Sequence, residues 1–68
     1  MNDFVCINDE SGTFINIDAI EGVIPCEAEE NAPDAKSLII TSSAKFIGTL
    51  TPKEIYGRIN TIRGLRIN

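Results

Sequence analysis

Polar and apolar residues alternate along the first part of the chain in the two-residue rhythm of β-strands. Phe4 to Asn8 (FVCIN) and Thr13 to Ile17 (TFINI) flank Asp9-Glu10-Ser11-Gly12, a turn with local side-chain acceptors and a permissive glycine. Asp18-Ala19-Ile20 makes a short break before Glu21 to Ile24 (EGVI) resumes extended structure. Pro25, which has no N–H to donate, ends the pairing. Residues 26–36 (CEAEENAPDAK) are acidic and patternless, an exposed connection. Ser37 to Thr41 (SLIIT) and Lys45 to Leu50 (KFIGTL) then form a hairpin about Ser42-Ser43-Ala44, with Gly48 marking a bulge or a close approach.

The rhythm changes at Thr51-Pro52-Lys53-Glu54. Threonine can cap a helix, proline is harmless at the first helical position, and glutamate three residues on completes a capping box. Ile55, Ile59 and Ile62 follow at spacings of four and three, one apolar stripe to set against the sheet. The helix is expected over about residues 52–63, with Gly64 as its left-handed stop. The expected fold class is therefore α+β: one domain over residues 1–68, a small antiparallel four- or five-stranded sheet or partial barrel with one C-terminal helix.

A chain of 68 residues is marginal without a staple. Two cysteines, Cys6 and Cys26, with no histidine and no CxxC spacing exclude a zinc shell. The N-terminal residues MNDFVCINDE lack the features of a signal peptide, so the thiols read as buried small hydrophobes in a reducing cytoplasm. No apolar run approaches the roughly 20 residues of a membrane span. Self-association is the stabiliser left, and the expected partner is a second copy of the chain.

Charge is segregated. Residues 1–34 hold nine acids and no base, and residues 35–68 hold six bases and one acid, so the halves carry −9 and +5 and sum to −4. Either the halves neutralise each other within the fold or opposite faces steer charged partners. The negative total argues against nucleic acid, as does the placing of Phe4, Phe14 and Phe46 in patterns that read as core. Tyr56, beside the helical stripe, is placed to reach a surface.

Catalysis fails on inventory: there is no histidine and no nucleophile with an identifiable base, so no cofactor and no enzyme activity are expected. Glu27, Glu29 and Glu30 lie in the exposed connection, where solvated surface is the simpler account. An anion site has more support. Thr41, Ser42, Ser43 and Lys45 offer hydroxyls, turn amides and a cation, and Arg58, Arg63 and Arg66 follow on or beyond the helix, a set suited to the phosphate of a nucleotide.

Ile7, Asn8, Gly12, Phe14, Asn16, Asp18, Ile20 and Glu21, then Ile39 to Thr41, Lys45 and Glu54-Ile55, give an order that resembles the small flagellar accessory proteins of the FlbD-like family. Two features depart from that pattern: the acidic insertion at 26–36, and Ser43-Ala44 where the pattern has asparagine-glycine. The resemblance implies a β-rich domain with a terminal helix and a non-enzymatic accessory role. The functional expectation is a non-catalytic, homo-oligomeric binding module that sequesters or inhibits a partner, in the manner of a phage sponge for a nucleotide signal. Its alternatives are a flagellar accessory or an inhibitor that binds a host protein.

Overall fold

The computed structural model describes residues 3–66, and side chains over residues 3–64. Strands β1 (Phe4–Asn8) and β2 (Thr13–Asn16) form an antiparallel hairpin with Val5 opposite Ile15 and Cys6 opposite Phe14. Its turn is built locally. Asn8 Oδ1 accepts from the amides of Glu10 and Ser11 at 3.1 Å each, and the Gly12 amide donates to the Asn8 carbonyl at 2.9 Å. Gly12 has φ of 68°, a conformation that side chains disfavour. β2 stops one residue short of the expected strand. Asn16 Oδ1 accepts from the Asp18 amide at 3.0 Å and caps a 3-10 turn over Ile17–Ala19, which turns Ile17 into the core.

β3 (Ile20–Pro25), β4 (Ser37–Thr41) and β5 (Lys45–Gly48) form the second antiparallel sheet, in that order. The five strands thus divide into two open sheets of two and three, and neither sheet closes. The fold is the expected α+β class, five antiparallel strands and one C-terminal helix, with the strands shared between two sheets because β2 leads through the 3-10 turn into β3. The Thr49 amide, donating to the Ile7 carbonyl at 3.0 Å, ties the sheets together. Within the connection 26–36, Glu29 and Ala32 exchange backbone bonds of 3.0 and 3.1 Å, and Ala35 alone is buried.

Helix α1 (Pro52–Arg66) starts at the expected capping box. The Glu54 amide donates to Thr51 Oγ1 at 3.2 Å, and the Thr51 amide donates to Glu54 Oε1 at 3.0 Å. Gly64 does not end the helix, which runs on to Arg66. Glycine permits a left-handed stop without imposing one, and among the described residues only Gly12 has positive φ. Ile55 and Ile59 are buried and Ile62 is half-buried, as the stripe requires. They join Val5, Ile7, Ile15, Ile17, Val23 and Ile39 in a core cluster whose buried members are all valine or isoleucine. The phenylalanines expected there lie outside it: Phe4 is 51% exposed and Phe14 61%, with Phe46 on the edge strand also exposed. No described helix is long and apolar enough to cross a membrane.

Candidate functional site

The residues expected to hold an anion are divided among three places. The helix turns each residue by about 100°, so Arg58 and Arg63, five residues apart, point about 140° away from each other. Arg58 reaches the β1–β2 turn. Its Nη1 and Nη2 donate to Asp9 Oδ1 and Oδ2 at 3.0 Å each, and Nη1 also donates to the Cys6 carbonyl at 3.2 Å. This bidentate fork joins two segments far apart in sequence. Arg63 lies 3.6 Å from Asp18 in a looser pair across a polar cleft lined by Ile20, Glu21, Tyr56 and Asn60. The side chain of Arg66 lies outside the described residues.

The β4–β5 turn is the third place. Thr41 Oγ1 donates to the Ala44 carbonyl at 2.8 Å and accepts from the Ala44 amide at 3.1 Å, so this hydroxyl is consumed in forming the turn. Ser42, Ser43 and Lys45 stand exposed, with no side-chain hydrogen bond or ion pair among the described residues. Thr41 lies opposite Ile20, which lines the Arg63 cleft.

A more extensive feature was not foreseen. The outward side of the β1–β2 hairpin and one side of α1 enclose an open apolar groove of about 620 Å³, lined by Phe4, Cys6, Phe14, Gly57, Thr61 and Ile62 among others. Strand alternation explains it. Val5 and Ile7 enter the core, so Phe4 and Cys6 must face away, and Phe14 sits opposite Cys6 on the same side. That signal is present in FVCIN and TFIN once Val and Ile are chosen as the inward set. Gly57 lies in the helical wall, and a β-carbon there would have no neighbour within 4 Å. Glycine in a helix interior costs about 1 kcal/mol against alanine. Nothing in this fold requires it at position 57.

Cys6 and Cys26 are unpaired and only half-buried, which corrects the expectation of buried thiols. Cys6 Sγ lies 3.4 Å from Asp9 Oδ1 and donates to it, beside the Arg58 fork.

That fork gives the pH response. Hydrogen bonding from Arg58, then from Cys6, holds the Asp9 carboxyl below its ordinary pKa. The backbone and hydroxyl of Thr51 lower Glu54 likewise. A group whose pKa is depressed by folding contributes stability above its unfolded value and loses it as pH falls through the folded one. The melting temperature is therefore expected to hold steady near neutrality and fall below about pH 4. Asp9→Asn combined with Glu54→Gln should flatten that acid limb in thermal melts across pH; an unchanged limb would show that neither carboxylate matters.

Compared with known proteins, the chain matches no family model, no curated protein and no solved structure.

Proposed function

We propose that the chain is a non-catalytic, homo-oligomeric binding module that sequesters or inhibits a partner, and that this partner is a protein. The apolar groove between the β1–β2 hairpin and α1 supports the reading. Half-exposed Phe4 and Phe14 offer the rigid aromatic area that anchors protein interfaces. The bare backbone at Gly57 lets a partner segment lie directly against the helix. The charged residues that line it among the described side chains are Glu54 and Arg58, and Arg58 is already committed to Asp9, so the three together sum to −1. Among the described side chains, a free anion has no unpaired cation there to hold it. A segment with an apolar centre and basic flanks fits better, and the flagellar accessory role implied by the resemblance is one form of such binding.

The exposed turn at Ser42, Ser43 and Lys45 supports a second reading, sequestration of a phosphate-bearing nucleotide. One comparison separates the two. Cross-linking followed by mass spectrometry in source cells should recover a protein that Phe4→Ser/Phe14→Ser loses and Lys45→Ala retains. Gly57→Ala should raise the melting temperature of the isolated domain and weaken the same complex. Failure to recover such a protein, with a nucleotide-dependent thermal shift abolished by Lys45→Ala, would transfer the function to the turn.

A further inference from the structure

Residues directly opposite in an antiparallel sheet point to the same side, so the ladder of β3, β4 and β5 sorts its own faces. Val23, Ile39 and Phe46 form one cross-strand row on the core side, where Val23 and Ile39 are buried. The next row, Ile24, Leu38 and Ile47, lies on the other side, followed by Gly22, Ile40 and Lys45. Ile24 and Ile47 are 46% and 47% exposed, and Leu38 and Ile40 are half-buried only by their neighbours.

Antiparallel sheets with one solvated face carry polar residues on it. β4 does the reverse. Its inward positions include Ser37 and Thr41, while Leu38 and Ile40 face outward. The strand has the composition of one covered on both sides, yet α1 contacts β1 and β3 from the core side. The outer face lacks its covering layer within the described residues.

We infer that this layer is the same face of a second copy, stacked sheet on sheet about a two-fold axis running across the strands. The inference rests on the reading of the chain as a homo-oligomer and assigns the surface. Charge selects the occupant. At the turn end the face carries Lys45, which has no ion pair among the described residues. The opposite end borders the connection 26–36, where Glu27, Glu29, Glu30 and Asp34 outnumber Lys36, and Asn31 to Ala35 flank Ile47 in a shallow groove. An axis across the strands sets the Lys45 end of each copy over the acidic end of the other, whereas an axis along the strands would oppose like ends.

Size sets the expected strength. Three strands at about 4.8 Å spacing and five residues at about 3.3 Å rise give a footprint of roughly 240 Å². A standard interface covers about 800 Å² per partner, so the bordering connection must contribute. The assembly should be reversible in the micromolar range.

Sedimentation equilibrium from low to high micromolar concentration tests this on the full chain. The wild type is expected to pass from 7.4 kDa to twice that mass. Ile47→Lys, on an edge strand that tolerates lysine, should weaken association about tenfold or more while circular dichroism stays unchanged. Lys45→Glu should weaken it at low salt and less at high salt. A dimer unaffected by both substitutions would overturn the assigned face and leave the homo-oligomeric reading standing. A wild type monomeric throughout would overturn both, without bearing on partner capture by the groove.

Discussion

Ile55→Ala is expected to destabilise the fold by roughly 2–5 kcal/mol, with Ile59→Ala close behind, because each empties a core position that the surroundings refill only in part. Ile55 is fully buried and Ile59 nearly so, at the junction of α1 with β1 and β3. A domain this small commonly holds about 5 kcal/mol in total, so either change consumes much of it. Thr51→Ala removes a cap and should cost about 1 kcal/mol. Urea titrations of the three variants give the comparison directly. If Ile55→Ala proved as mild as Thr51→Ala, the helix would not be packed in the register described.

Gly48→Ala is expected to cost roughly 1–3 kcal/mol by overpacking. A β-carbon there would fall 2.5 Å from Ser37 Oγ, 3.0 Å from Ile39 Cδ1 and 3.1 Å from the Ile7 carbonyl. Ser37 is 0% exposed, and its hydroxyl has no hydrogen-bond partner among the described residues. An unpaired buried hydroxyl carries a desolvation cost with nothing to offset it. Ser37→Ala should therefore be neutral or stabilising, and it also removes the atom nearest the intruding carbon. The double variant should recover part of the Gly48→Ala loss, a favourable coupling of about 0.5–2 kcal/mol in a double-mutant cycle. Strict additivity would show that Ile39 and the Ile7 backbone, and not Ser37, resist the substitution.

The two exposed apolar surfaces lie apart from the core positions of these stability variants. Phe4 and Phe14 can be changed without touching the core, as can Ile24 and Ile47 on the far side of the other sheet. On the two proposals above, Phe4→Ser/Phe14→Ser is therefore expected to lose partner binding and keep self-association, and Ile47→Lys to do the reverse.

Local rules written in neighbouring residues carried the sequence reading a long way. The capping box at Thr51 to Glu54, the Asn8-to-Gly12 turn, the five strands and the inward stripe of Ile55, Ile59 and Ile62 all depend on spacings of two to four residues. Gly48 was legible as a bulge or a close approach, and the structure shows the close approach. Tertiary structure decided what those rules leave open. Period-two alternation says that a strand has two faces, but long-range packing chooses the inner one. It selected Val5, Ile7 and Ile15 and left Phe4 and Phe14 to build a groove. Helical position likewise lists the arginines without saying where they reach. Arg58 meets Asp9 because the β1–β2 turn comes to lie beside α1, 49 residues away in sequence, and that contact draws one cation out of the expected anion site. The divided sheet, the extended helix beyond Gly64 and the outward apolar row of Ile24, Leu38 and Ile47 are of the same kind. Each depends on which surfaces meet when the chain closes on itself, a choice made by the summed burial of distant residues.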